Sequence, residues 1–244
     1  MLTDKEMLEY ELLNQLNDVK KPKGAVTLSL LLKDKGLVVS SATVGRMLSG
    51  FDYQGLTARY GYQGRVLTDD GEKWLSVLNS RRRLEEVSFR LYSSIDAESK
   101  ENLINVLIAR RGIERESARL AALNATPENI ENLSRVYNLQ AKDALEGLTS
   151  ADKDVIFHQL IAKASKNKVL AAAYDFIWQN GRFSPVMEYI RSSVGGVISL
   201  EHKKILNALI IRNPDEAEKS MVEHIDSLIS DVNEYWLTAQ GKRS

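Results

Sequence analysis

The sequence predicts a mainly α-helical protein, in which an N-terminal winged helix-turn-helix precedes an antiparallel all-α bundle of six or seven helices. Apolar residues recur at helical spacing along most of the 244 residues, and residues 56–68 read instead as two short strands around a glycine-bearing turn. In addition, 43% of the residues are hydrophobic, which is enough for sizeable cores. These observations favour a folded protein with two parts.

The first part is expected to contain three helices and a hairpin. The stretch MLEYELLNQL carries a helical leucine stripe, and a second helix is expected to end at Gly36, a residue suited to a left-handed cap. Ser40 or Ser41 then provides the N-cap of a third helix. The turn YGYQG joins the strand-like segments 56–60 and 65–68. Helices followed by a hairpin predict a winged helix-turn-helix.

The second part reads almost entirely as helix, and its breaks carry capping residues. In ATPENI, Thr126 is expected at an N-cap with Pro127 at the first helical position, and RNPDEAE repeats the pattern with Asn213 and Pro214. Glycines in SVGGVIS break another helix pair. Short breaks between amphipathic helices predict an antiparallel bundle. The resulting division is a winged helix over 1–78, a connecting helix over 79–97 and a helical domain over 98–240.

Charge is distributed unevenly along the chain. The whole sequence has 33 basic and 33 acidic residues, but residues 20–83 hold 12 Lys and Arg against 5 Asp and Glu, a net charge of about +7. DNA phosphates supply most of the affinity of DNA-binding proteins and require such charge, so double-stranded DNA is the expected partner. A winged helix used only for protein contacts is the alternative. The expected DNA-binding residues are Ser40, Ser41, Thr43 and Arg46 at the start of the recognition helix, and Arg65 at the wing tip.

Two of these basic features also have simpler explanations. Arg65 is alternatively a solvated charge on the hairpin, and the run Arg81–Arg83 is better explained as a solvated helix face near the DNA.

The chain has no cysteine, which excludes disulfides and thiolate metal sites. Its first residues are acidic and amphipathic, and no apolar run approaches the roughly 20 residues of a membrane span. A cytoplasmic protein with no membrane anchor is therefore expected.

The three histidines of the chain form a candidate metal site with one aspartate. Asp154 and His158 are one helical turn apart, so both leave the same face of a helix, although such a pair is commonly only a surface hydrogen bond. His202 and His224 each share a face with apolar residues and are expected to point into the bundle. Three buried imidazoles and a carboxylate are a suitable ligand set for a divalent cation.

Three segments resemble a known family of ligand-binding domains. IARRGIERESARLAALNATPENI, ADKDVIFHQLIAKASKN and LEHKKILNALIIRNPDEAEKSMVEHI, within residues 98–228, are similar to the FCD domain of GntR-family regulators of the FadR type. The resemblance implies a divalent metal held by Asp154, His158, His202 and His224. It also implies a small carboxylate effector bound beside the metal and clamped by Arg110. Arg110 is alternatively a bundle salt bridge to Glu114, four residues later.

The N-terminal part departs from that family. The LPSE-type segment of GntR DNA readers is absent, and GLVVSSATVGRML with GLTARYGYQGRVLTDDG is more similar to the winged helix of archaeal nitrogen-regulation repressors. Both resemblances imply a DNA-binding transcriptional regulator. A homodimer on a two-fold operator is expected, because a single winged helix contacts too little DNA for useful specificity. Zinc or nickel is the expected metal, and manganese is left open because His and carboxylate ligands suit several metals.

The main alternative is a metal-dependent, hydrolase-like enzyme that carries a basic DNA-binding module. A three-His, one-Asp site with open positions is able to activate water. Against this, Glu201 and Glu223 are each adjacent in sequence to a ligand histidine and are expected to point away from the metal. A purely structural zinc site is disfavoured because four non-cysteine ligands in a bundle are more often open to exogenous ligands. A regulator, not an enzyme, is therefore the preferred interpretation.

Overall fold

The computed structural model describes residues 3–17, 21–95, 99–178, 183–195 and 198–241. It divides into two compact units, Met1–Leu91 and Tyr92–Ser244. Among the described residues no helix has the length and apolar character to cross a membrane. Each unit has its own hydrophobic core, and the two are described in turn.

The N-terminal unit begins with three helices, α1 (Asp4–Asn17), α2 (Ala25–Asp34) and α3 (Ser41–Tyr53). Gly36 follows α2 with a φ of 82°, as expected for a left-handed cap. Ser40 is the N-cap of α3, because its side chain accepts a hydrogen bond from the Thr43 amide at 3.1 Å. Leu12 and Leu13 of α1 and Leu28 and Leu32 of α2 are fully buried. They pack with Val44 and Leu48 of α3.

A small antiparallel hairpin completes this unit. Strands β1 (Thr57–Arg59) and β2 (Arg65–Leu67) pair with Ala58 opposite Val66, and Lys23 adds a bridge to Arg65 on the other edge. Gly64 has a φ of 128°, and a Cβ there would lie 2.2 Å from the Lys23 carbonyl carbon, so only glycine allows this approach. Helix α4 (Asp69–Ser94) follows the hairpin. Three helices and a hairpin confirm the predicted winged helix-turn-helix.

The C-terminal unit contains seven helices in its described part. They are α5 (Lys100–Asn124), α6 (Pro127–Glu146), α7 (Ala151–Ala164), α8 (Lys168–Trp178), α9 (Phe183–Val194), α10 (Ile198–Ile210) and α11 (Pro214–Gly241). Thr126 caps α6 in a reciprocal capping box with Asn129, and Asn213 Oδ1 accepts from the Glu216 amide at the start of α11. The predicted helix number and both proline-initiated helix starts are confirmed.

Polar side chains are buried among the apolar residues of this bundle. Helices α5 and α11 pack together along their lengths, and α6, α7 and α10 pack around them. Leu107 of α5, Phe157 of α7 and Met221 of α11 are fully buried in this core. Buried polar groups must find partners inside the protein, so their positions indicate a built site. Seven of them come from six helices: Arg110, Glu114, Gln140, His158, Arg191, His202 and His224.

Candidate metal centre and nucleic-acid interface

Four predicted ligands converge in the C-terminal unit. Helix α7 places Asp154 and His158 one turn apart, α10 brings His202, and α11 brings His224. One ligand atom from each residue lies within 4.8 Å of all the others. The three imidazoles are at most 1% exposed and Asp154 is half-buried. The tertiary structure therefore brings together side chains that are up to 70 positions apart in sequence.

The Nε2 atoms of the histidines face one another and Asp154. His158 Nε2 lies 3.2 Å from His202 Nε2, and Asp154 Oδ1 lies 3.4 Å from His202 Nε2 and 3.7 Å from His158 Nε2. Within the described part of the chain, His224 Nε2 is buried with no hydrogen-bond partner. These atoms surround one small volume.

Each Nδ1 atom faces an acceptor outside this volume. His158 Nδ1 is 2.5 Å from Glu114 Oε2, His202 Nδ1 is 2.9 Å from Gln140 Oε1, and His224 Nδ1 is 2.7 Å from Glu201 Oε2. An acceptor at Nδ1 places the ring proton there and leaves a lone pair on Nε2. Lone pairs at 3.2 Å repel unless a cation lies between them. The donor set and its outer partners therefore fit a divalent metal ion.

The electrostatic environment keeps two of the rings neutral. Burial, and then the neighbouring imidazoles of His224 and His158, lower the pKa of His202 well below its ordinary value. Burial also lowers the pKa of His224, although its hydrogen bond to Glu201 acts in the opposite direction. Neutral imidazole is the form that binds a metal, so these rings are ready for coordination at neutral pH.

Among the described residues, neither Glu201 nor Glu223 contributes an atom to the cluster of candidate ligand atoms, but Glu201 contacts a ligand histidine from outside the cluster. Glu201 Oε2 accepts from His224 Nδ1 and lies 2.7 Å from Arg191 Nη2. Burial raises the pKa of Glu201, but the hydrogen bond from His224 and the charge of Arg191 outweigh it and lower the pKa to about 2. Glu201 and His202 are neighbours in sequence on α10, so their side chains leave the helix in different directions. The Glu201 side chain reaches His224 on α11. The Glu223 side chain is 51% exposed and pairs with surface lysines.

Arg110 forms the predicted alternative contact with Glu114. Its Nε donates to Glu114 Oε1 at 2.6 Å, and both side chains are fully buried. Burial raises the pKa of Glu114, but the charges of Arg110 and then His158 outweigh it and lower the pKa to about 2. Glu114 thus links Arg110 to His158. The sequence pattern indicated Glu114 only as a salt-bridge partner of Arg110. Nothing in the pattern indicated that Gln140 or Arg191 lies near the histidines.

The predicted DNA-binding residues of α3 lie together at its N-terminal end. Ser40, Ser41 and Arg46 are exposed, and Thr43 is half-buried. Arg46 Nη2 donates to Thr43 Oγ1 at 3.2 Å, which places the guanidinium beside the first turn. A helix N-terminus with short polar side chains allows close approach to a DNA backbone.

Arg65 is not at the wing tip, and this part of the prediction was wrong. It is the first residue of β2, its side chain is 14% exposed, and its Nε donates to both carboxylate oxygens of Asp52 at 3.0 and 2.9 Å. Asp52 also accepts from Thr57 Oγ1 at 2.6 Å. The carboxylate comes from the last turn of α3, a contact that the hairpin sequence does not reveal. The turn between the strands, residues 60–64, is the tip.

Comparison with known proteins identifies the class. The FCD domain family matches residues 105–227, half of the chain, and the chain belongs to this family. The Ribonuclease R winged-helix domain matches residues 10–75. The FCD resemblance expected from the sequence is therefore confirmed, and the N-terminal match agrees with the observed winged helix.

Curated relatives match about half of the chain. The chain is 30% identical over 131 residues to the Uxu operon regulator of Haemophilus influenzae, which covers 50% of this chain and 48% of the relative. It is 30% identical over 112 residues to the HTH-type transcriptional repressor NanR of Klebsiella aerogenes, covering 45% and 43%. The chain thus spans about half the length of the curated relatives it matches. Escherichia coli McbR/YncC has a similar fold, with a TM-score of 0.50 at 14% identity, covering 97% of this chain and 100% of that one.

Proposed function

We propose that this protein is a DNA-binding transcriptional regulator whose C-terminal helical domain binds a divalent metal and a small carboxylate effector that modulates operator binding. The observation that carries the proposal is the convergence of three Nε2 atoms and Asp154 inside an FCD unit joined to a winged helix. The proposed domains are a DNA-binding domain over 1–78, a connecting segment over 79–97 and a ligand-binding domain over 98–240. The names of the curated relatives, which are operon regulators and a repressor, support the same class.

The charge balance around the histidines supports a metal ion. Glu114 is paired with Arg110, and Glu201 is paired with Arg191, so each of these outer carboxylates has a cation. Among the described residues, the Asp154 carboxylate forms close ion pairs with two ligand histidines and with no arginine or lysine. A divalent ion would neutralise Asp154 and accept the three Nε2 lone pairs. Zinc or nickel suits three nitrogen donors and one oxygen donor, and manganese is the next candidate.

An effector site beside the metal follows from the ligand count. Four protein ligands leave one or two positions open on a five- or six-coordinate ion, and a carboxylate oxygen is a suitable occupant. Arg110 is the proposed clamp for the carboxylate. In the described structure its Nη2 atom is buried without a hydrogen-bond partner, so it retains a donor even though Nε is bound to Glu114.

The proposed DNA interface is the exposed start of α3 in the basic segment. Ser40, Ser41, Thr43 and Arg46 would approach the major groove, where Arg46 can reach a guanine edge or a phosphate. Arg65 would act indirectly, by holding β2 against Asp52. One winged helix contacts little DNA, so a homodimer on a two-fold operator is the proposed assembly.

The enzyme alternative requires a carboxylate free to act as a base on metal-bound water. Glu114 and Glu201 are the carboxylates nearest the ligand histidines outside the ligand set, and both are already bonded to a histidine and an arginine. Carboxylates paired in this way orient the ligand histidines but are not free to take a proton from metal-bound water. The arrangement therefore favours a regulator over an enzyme.

The test combines metal analysis with DNA binding. The untagged full chain is expected to contain about one divalent ion, and to bind duplex DNA from the region upstream of its own gene in a fluorescence anisotropy titration at fixed salt. Stripping and restoring zinc or nickel should change the affinity for that DNA. A protein that retains no metal, shows no thermal shift with either ion and prefers no DNA sequence would contradict the proposal.

A further inference from the structure

Two buried donors lie close together without acceptors beside the candidate metal centre. In the described structure neither Arg110 Nη2 nor Trp178 Nε1 has a hydrogen-bond partner, although the residues are only 1% and 8% exposed. The guanidinium carbon of Arg110 lies 4.6 Å from the centre of the Trp178 ring. A buried N–H group without an acceptor is costly, and two neighbouring ones indicate a place for a ligand that accepts hydrogen bonds.

Two nearby protein acceptors, Glu114 Oε1 and the Val155 carbonyl oxygen, already have donors. Glu114 Oε1 accepts from Arg110 Nε, and its other oxygen faces His158. The carbonyl oxygen of Val155 accepts from the Tyr174 hydroxyl at 2.9 Å. On another side of Arg110 lies the apolar ring of Phe183, with its centre 5.8 Å from the guanidinium carbon. The two free donors therefore open toward a site that these neighbours leave unsatisfied.

Glu114 contacts both the Arg110 guanidinium and His158, one of the candidate metal ligands. One of its oxygens binds Arg110 and the other faces His158, whose Nε2 atom points to the metal position. A carboxylate group and an imidazole ring thus separate the guanidinium from the ion. A ligand that contacts both needs an acceptor group at each end, with carbon atoms between them.

A surface groove lies next to one member of the donor pair. It has a volume of about 770 Å³ and runs along the first turns of α7, where Lys153 and Val155 flank Asp154 in sequence. Trp178 forms part of its wall, together with Ile156 and Pro185. Trp178 thus lines the groove and also stacks against the Arg110 guanidinium, which places the donor pair beside the groove.

We infer that Arg110 Nη2 and Trp178 Nε1 form a second anchoring point for the effector, which makes the effector a bifunctional small acid. One of its acid groups occupies the open position on the metal, and the other accepts from the donor pair. This inference rests on the proposed metal and effector site. It goes further by adding Trp178 to the binding residues and by excluding simple monocarboxylates as good ligands.

The experiment measures selectivity on the zinc-loaded full chain. Acetate, malonate, succinate and glutarate are titrated by calorimetry, with quenching of tryptophan fluorescence as a second readout. The best of the three dicarboxylates should bind at least about tenfold more tightly than acetate, because it gains hydrogen bonds to a charged acceptor. Trp178→Phe keeps the ring over Arg110 but removes the N–H group. It should weaken the best dicarboxylate by roughly tenfold and leave acetate unchanged.

Trp236→Phe, a half-buried tryptophan on α11, is the matched control and should bind like the wild type. Zinc content and melting temperature are measured for each variant, and the comparison among acids in the wild type needs no variant at all. If the zinc-loaded wild type binds acetate and the dicarboxylates equally, or binds none of them, the donor-pair inference is overturned while the metal centre stands. The donor-pair inference is also overturned, and the metal centre again stands, if Trp178→Phe binds the dicarboxylates with the affinity of the wild type. A wild type that takes up no metal would overturn both.

Discussion

His158 and His202 face each other with their Nε2 atoms 3.2 Å apart, while the Nδ1 atom of each ring faces an acceptor on another helix. Helices α7 and α10 could not hold two neutral imidazoles in this way without a cation or a proton between them. The pair is therefore the part of the bundle where removal of one side chain should have the clearest consequence.

His202→Ala should abolish metal binding. The variant removes one of three nitrogen donors and opens the connection between α7, α10 and α11. A ligand that binds only the folded state at a thousandfold excess over Kd stabilises it by about 4 kcal/mol, so zinc should raise the Tm of the wild type but not of the variant. Elemental analysis and thermal unfolding with and without zinc check this. Equal zinc content in the two proteins would refute the ligand assignment.

Glu201→Gln should weaken metal binding without abolishing it. Glu201 fixes the tautomer and orientation of His224, and loss of such an outer partner typically costs about 10- to 100-fold in metal affinity. Glu223→Gln is the matched control, because Glu223 lies next to His224 in sequence but pairs with surface lysines. Competition with a zinc-binding dye gives both affinities. Equal losses in the two variants would mean that Glu201 acts only through net charge.

Asp52→Asn should destabilise the N-terminal unit in a pH-dependent way. Burial raises the Asp52 pKa, but hydrogen bonds from Thr57 and Arg65 outweigh it and leave the pKa below the ordinary 3.8. Just below pH 3.8 the folded state then binds fewer protons than the unfolded state. The Asp52 carboxylate therefore contributes fully to the free energy of unfolding above that pH. This contribution is lost as the pH falls through the pKa of Asp52 in the folded state.

At neutral pH the difference in unfolding free energy between wild type and Asp52→Asn should be about 1–3 kcal/mol, and it should shrink in acid. Denaturant unfolding of the full chain, followed by the fluorescence of Trp74 in variants that lack the other two tryptophans, measures it. Asp34→Asn, an exposed carboxylate at the end of α2, is the control and should show no such pH dependence. A constant difference from pH 7 down to acid would argue against the Asp52 ion pair.

Arg46→Ala should weaken binding to duplex DNA while leaving the melting temperature unchanged. If Arg46 contacts a phosphate, the slope of log affinity against log salt should also fall by about 1. Arg135→Ala makes the same change at an exposed position of α6 in the other unit and serves as the control. Anisotropy titrations at several salt concentrations provide the data. If both variants bind DNA like the wild type, the start of α3 is not the surface that contacts DNA.

Local geometry explains why much of the structure was predictable. Ser40 and Thr126 cap helices through contacts to residues three positions away, and Asp154 and His158 share a face because of helical spacing alone. The apolar neighbours of His202 and His224 correctly indicated inward-facing side chains. The helix count and the winged hairpin follow from signals of this kind, whereas the resemblance to the FCD domain implied that the four ligands meet.

The outer partners of the histidines and the pairing of Asp52 with Arg65 were decided only by the tertiary structure. Glu114, Gln140 and Glu201 reach the rings from α5, α6 and α10, and Asp52 is 13 positions from Arg65. The sequence determined which face of each helix is apolar and where each helix begins, because those depend on contacts within one or two turns. Which polar side chains meet across helices depends on how the helices rotate and pack, and this rotation is fixed by the whole core rather than by any one segment.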